Sequence, residues 1–134
     1  MVVKEFSVST SKQVEFVEIT SKVKKIISEA GIKNGGAFVF VPHTTAGITI
    51  NENADPSVVR DIIMKLNHVI SENDAYTHAE GNSPAHIKAS LVGNHIYLII
   101  LGGRPVLGTW QGIFLCEFDG PRTRKVIVQA METK

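Results

Sequence analysis

The sequence predicts an α+β fold, an antiparallel β-sandwich with two flanking helices, formed by residues 1–134 as a single domain. Three observations predict it. Short β-branched runs bounded by Gly, Pro, Asn and Asp recur along the chain, the pattern of antiparallel strands joined by turns. Two stretches carry apolar residues at helical spacing together with start or stop signals. A chain of 134 residues has room for one core and little for a second, so a site is single or shared with a neighbouring copy.

Taken in order, residues 3–8 and 14–18 alternate apolar and polar side chains and read as a hairpin with one wet face. Thr20 or Ser21 can cap a helix running to about residue 30, with Val23, Ile26 and Ile27 on one side and Gly31 as its stop. Residues 37–51, AFVFVPHTTAGITIN, read as a central strand interrupted or bulged near Pro42. If pairing continues past that proline, His43, Thr45, Gly47, Thr49 and Asn51 share a face free of large apolar side chains, which suggests a cleft or a plain wet face. Asp55-Pro56 supplies both start signals of a second helix, whose Val59, Ile62, Ile63, Leu66 and Ile70 form a stripe for the core. His68, near its end, suits the helix dipole and is left out of the site. Residues 85–91 can make a short helical turn closed by Gly93-Asn94. The last third holds three β runs, 95–101, 111–118 and 125–130, with Cys116 on an apolar side of the middle one.

Composition excludes several functions. With 14 basic and 13 acidic residues the net charge is +1, so no surplus argues for nucleic acid or an anionic membrane. One cysteine allows no internal disulfide, the N-terminal residues lack signal- or transit-peptide patterns, and the longest apolar run, 96–101, is too short to span a bilayer. The expectation is a cytoplasmic protein.

Chemistry concentrates in YTHAEGNSPAHIK (76–88), which sets His78 and His86 around a Glu-Gly-Asn-Ser-Pro turn. Imidazoles are the commonest metal ligands and titrate near neutrality, so the pair suggests a prepared polar site, against the alternative of loop histidines bonded to a turn. If the fold adds His43, the three leave a coordination position open for water or substrate. Glu52, Asp55, Glu80, Glu117 and Asp119 can supply a base, and Lys88, Arg104, Arg122 and Arg124 can meet a phosphate. No Gly-rich phosphate loop or nucleophile elbow is present.

Together PHTTAGITINENADP (42–56), YTHAEGNSPAHIKASLVG (76–93) and LGTWQGIFLCEFDGPR (107–122) closely resemble the YjbQ family, a family of uncharacterised proteins. The resemblance covers nearly the whole chain. It implies a β-sandwich with flanking helices, a homotrimer, and a cleft in which His43, His78 and His86 hold a divalent metal, zinc first and magnesium as the alternative. It places Asn51, Glu52, Asp55, Lys88, Trp110 and Gln111 around them, and implies a secondary thiamine-phosphate synthase activity joining a pyrimidine diphosphate to a thiazole phosphate with release of pyrophosphate. On that reading Glu52 and Lys88 are catalytic, while Asn51, Asp55, Trp110, Gln111 and Arg122 bind the phosphorylated substrate. Two other readings stand beside it: a zinc-dependent hydrolase of a small phosphorylated or amide substrate with Glu52 or Glu80 as base, and a trimeric ligand-binding protein without catalysis.

Overall fold

The structure, a computed structural model describing residues 1–134, sets two antiparallel sheets face to face. The element order is β1 (Val2–Ser9), β2 (Glu15–Glu18), α1 (Thr20–Ala30), β3 (Gly35–Phe40), β4 (Ala46–Glu52), α2 (Pro56–Val69), α3 (Ser83–Val92), β5 (His95–Leu101), β6 (Arg104–Pro105), β7 (Gln111–Glu117) and β8 (Thr123–Glu132). One sheet has the strand order β1-β8-β3-β5-β6 and the other β2-β7-β4. Between them lies a core in which Val39, Ile100, Val126 and Val128 of the larger sheet meet Ile48, Ile113 and Leu115 of the smaller, while Val23 and Ile27 of α1 join the same cluster. The α+β sandwich expectation therefore holds. No helix is long and apolar enough to cross a membrane.

The helix starts follow local chemistry. Asp55 accepts the Ser57 amide at 2.9 Å, with Pro56 at the first helical position, so α2 begins where the sequence predicts. Thr20, by contrast, does not cap α1. Its hydroxyl donates to Glu18 Oε2 (2.8 Å) and accepts the Ile113 amide (2.8 Å), pinning the helix start to β7. Gly31 stops α1 in the left-handed region at φ 71°, its amide returning to Ser28 O.

Beyond the α1 cap, five expectations need correction. The 3–8 and 14–18 runs form no hairpin, because β1 pairs with β8 in the larger sheet and β2 with β7 in the smaller. The 37–51 run is two strands in different sheets: the Val41 amide still bonds Asn94 O at 2.7 Å in the β3–β5 register, and Pro42, with no amide to donate, ends the pairing before the chain enters β4. The helices number three, since 83–92 is a full helix of 10 residues rather than a turn. Its buried face is Pro84, Ala85, Lys88 and Ala89, small residues and a lysine, so no large apolar stripe announced it. The stripe of α2 is buried only at its last member, Ile70, 7% exposed at the helix C-cap: no residue within the helix is fully buried, and Leu66 only borders a second small cluster of Ala85, Ala89, Cys116 and Phe118. Finally, the face of β4 free of large side chains is not an open cleft at Gly47, because a Cβ there would stand 2.6 Å from Gly93 O and 3.2 Å from Val92 Cγ1. Helix α3 is packed onto it.

Candidate functional site

Helix α3 carries one end of the candidate site. His86 lies in its first turns and His78 in the preceding loop, and their rings meet edge to face with centroids 5.4 Å apart. Two imidazoles bound tetrahedrally to one zinc at Zn–N of about 2.0–2.1 Å also hold their ring centroids about 5 Å apart. The centroid spacing of the pair is close to that value. His78 Nε2 additionally stands 4.0 Å from Glu80 Oε1. His43 lines the same hollow as His86, a cavity of about 510 Å³ that also takes in Thr44, Ser90, Asn94 and His95.

A complete three-ligand set does not stand ready, however: no three His, Cys, Asp or Glu side chains lie within reach of one ion. His43 Nε2 accepts the Lys125 amide at 2.9 Å, so that nitrogen must be unprotonated and its lone pair is engaged. Burial, then the Arg124 charge, pulls the His43 pKa below its ordinary value, with Glu117 opposing. His95, not singled out by the sequence reading, enters the hollow because β5 starts at its rim, and Asn94 Oδ1 fixes its Nδ1 at 2.9 Å.

Beneath His43 lies a buried ion pair. Arg124, 2% exposed, hydrogen-bonds the carboxylate of Glu117, 0% exposed, through both Nε and Nη2, and Nη2 also reaches Thr45 Oγ1 (2.8 Å) and Thr45 O (3.1 Å). Thr10 Oγ1 adds a bond to Glu117 Oε1 at 2.8 Å, and the Asp119 amide one to Oε2 at 3.1 Å. Glu117 and Arg124 thus belong to a closed network rather than to a substrate surface. A charge at the position following Ile113 and Leu115 on a core-facing parity, opposite a strand whose Val126 and Val128 continue from Arg124, is the signal that pairs them. Arg122 stays accessible at this end. It donates to Asp119 Oδ2 (3.0 Å), which also receives Asn82 Nδ2 at the start of α3 (2.9 Å).

Lys88 does not face the hollow. It is 1% exposed, and its ammonium donates to Asn67 Oδ1 across the α2–α3 contact, where burial lowers its pKa against the opposing pull of Glu72. The remaining predicted residues gather elsewhere. Glu52 and Asp55 line a separate cavity of about 340 Å³ with Phe16, Glu18, Arg60 and Phe114. Asn51, Trp110 and Gln111 cluster beside it: the ladder pairs Glu52 with Gln111, and the Asn53 amide donates to Trp110 O at 3.0 Å. Since β4 has 7 residues at about 3.3 Å each, the histidine end and the Glu52 end of one chain lie about 20 Å apart. The single chain therefore joins His43, His78, His86 and Arg122 at one end and Asn51, Glu52, Asp55, Trp110 and Gln111 at the other.

Comparison with known proteins agrees with the whole of this architecture. A family profile described as UPF0047 protein YjbQ-like matches residues 4–133. A UPF0047 protein of Methanocaldococcus jannaschii is 56% identical, with 96% of this chain and 94% of that protein covered. The UPF0047 protein YugU of Bacillus subtilis is 47% identical, with 96% and 98% covered. Among solved structures, a YjbQ/UPF0047 protein from Clostridium acetobutylicum superposes with a TM-score of 0.94 at 55% identity, covering 96% of this chain and 99% of that one. A protein of unknown function from Sulfolobus solfataricus also reaches 0.94, at 36% identity with 98% and 97% covered. With its profile match, close relatives and shared fold, the chain belongs to the YjbQ-like UPF0047 family.

Proposed function

We propose that this protein is a metal-binding homotrimeric enzyme acting on small phosphorylated substrates, with secondary thiamine-phosphate synthase activity as its reaction. The observation that carries the reading is the His78–His86 pair, held at a spacing that suits one ion on the rim of the His43 hollow. An ion bound there, zinc on donor chemistry or magnesium on reaction type, would neutralise charge developing on a leaving pyrophosphate. Arg122 is the accessible cation at the same end and suits a phosphate oxygen. Lys88 stands between α2 and α3 as a buried ammonium bonded to Asn67, and burial and the Arg124 charge favour the neutral form of His43.

Glu52, Asn51, Asp55, Trp110 and Gln111 join the histidines only if a neighbouring copy presents them. A trimer offers that route. Its support is the family resemblance together with the outer face of the five-stranded sheet, where Phe38, Tyr97, Ile99 and Leu101 are all exposed. Light scattering on the purified protein should give three times the chain mass, and Ile99→Lys should return it towards one; a monomeric parent protein would remove the trimer.

The reaction is tested by supplying the pyrimidine diphosphate and thiazole phosphate with zinc or magnesium and measuring thiamine phosphate. His86→Ala should lose more than the roughly 10–100-fold that deleting a supporting hydrogen bond costs at a metal site, with parallel loss of bound metal. No product with either metal, and a His86→Ala protein equal to the parent in metal content, would sink the reading. A zinc-dependent hydrolase is the second reading, favoured by Glu80 beside His78 as a candidate base. Turnover of a phosphate ester or amide without thiamine phosphate formation would select it, and a ligand retained without turnover would select a non-catalytic binding protein.

A further inference from the structure

The opposite end of the five-stranded sheet holds a second, differently built hollow. It has a volume of about 570 Å³ and is enclosed by the end of α1, the Ile32-Lys33 segment and the β5–β6 hairpin. Three cations, Lys24, Lys33 and Arg104, line it with the Ser28 hydroxyl, and no acidic residue does. None of the three makes an ion pair, whereas Lys25, one residue from Lys24, is paired with Glu29 at 3.9 Å. Glu132, which approaches this region, accepts the Lys33 backbone amide at 3.4 Å rather than its ammonium.

The walls are fixed by the backbone. Gly102 and Gly103 turn the hairpin at φ 61° and 78°, a conformation open to glycine, and the Leu101↔Arg104 pairing sets where Arg104 leaves the strand. The Gly103 amide donates to Lys33 O at 2.9 Å, and the Gly102 amide to Asn34 Oδ1 at 3.4 Å, so the hairpin is tied to the segment bearing Lys33. One opposing effect is the carboxyl end of α1, which points its partial negative charge this way; Gly31 already occupies Ser28 O, and a macrodipole end is worth only about half a charge against three formal cations. The lining has a single large apolar side chain and no aromatic, so nothing there would stack on a base or seat an apolar ring.

We infer that this hollow is a binding site for a small polyphosphate anion, in which Arg104 supplies a two-pronged contact and Lys24 and Lys33 supply charge. It is separate from the histidine hollow, because β3 places Phe40 near His95 and Gly35 near Ile100, at the two ends of the sheet. The inference does not depend on the proposed reaction.

The test is titration of the full-length protein, in EDTA, with inorganic pyrophosphate, followed by calorimetry and by the amide signals of Gly102 and Gly103. The expected result is saturable binding that moves both glycine signals, persists in His86→Ala, and weakens about tenfold or more in Arg104→Gln/Lys33→Gln. Lys25→Gln should bind like the parent. Unmoved glycine signals at millimolar pyrophosphate, or equal binding by the parent and the double variant, would overturn the inference. Binding abolished by His86→Ala but not by Arg104→Gln/Lys33→Gln would assign the anion to the histidine end and overturn it as well.

Discussion

Glu117→Leu is expected to destabilise the protein by about 3–5 kcal/mol, because it strips the carboxylate from an arginine that is itself buried and leaves that charge uncompensated. Arg124→Met should cost a similar amount by stranding the carboxylate. The double variant should recover much of the loss, since two apolar side chains in a well-packed interior often replace a buried ion pair without penalty. Urea denaturation of the four proteins closes the cycle. Single losses below about 1 kcal/mol would mean that the pair is solvated and its network unimportant.

The same pair sets a pH limb. Burial alone would raise the Glu117 carboxyl, but the Arg124 hydrogen bonds, the Asp119 amide, the Thr10 hydroxyl and the Arg124 charge together hold it below its ordinary value. A carboxyl depressed in the folded state stabilises fully above its unfolded value of about 4.3, and that contribution is lost as pH falls through the folded value. The acid side of the stability profile should therefore be shallower in the double variant. His43, depressed by burial and Arg124, acts in the same direction at higher pH: folding excludes its proton, so stability declines as pH drops below about 6.5.

The second large effect is expected at Gly47. A single methyl group there would meet Gly93 O at 2.6 Å, and that carbonyl already accepts the Ile48 amide at 3.0 Å, anchoring the end of α3 to β4. Gly47→Ala must push the helix outward, at about 1–3 kcal/mol for overpacking. The helix carries His86, so the displacement also alters the approach of His78 and His86. If the proposed histidine pair binds a metal, its affinity should fall along with thermal stability, although neither histidine is touched. A variant with the parent's melting temperature and metal affinity would show that α3 rides freely over the strand.

Much of the fold was legible because its signals were local. Asp55-Pro56 started a helix, Gly31 ended one, and the 95–101 run was the strand that formed. What the sequence concealed depended on contacts between distant segments. That the chain crosses to the other sheet after Pro42 shows only in the pairing of distant segments, where β3 stays with β5 up to the Val41–Asn94 bond while β4 joins β7. Helix α3 was hidden because a glycine on its partner strand lets it pack through small residues instead of a stripe of large ones. At the site, sequence reading found the histidine pair, whose members are near neighbours in the chain. It also treated Glu52, Trp110 and Gln111 as companions of those histidines, although the β4–β7 ladder holds the two groups at its opposite ends. Lys88 misled for another reason: a charged side chain beside a histidine motif looks accessible, yet its ammonium is satisfied by Asn67 under α2.

Trp110 is the only tryptophan and stands 63% exposed at the Glu52 end of that ladder. Its emission is consequently a built-in optical reporter of one end alone. A metal ion settling between His78 and His86 of the same chain, about 20 Å away along the ladder, is too far to quench it by contact. With cobalt(II) substituted as a paramagnetic probe, a quench that appears only when the chains are associated would then identify the indole as lying beside the histidines of another copy, and the intensity change would count assembled sites without any attached label.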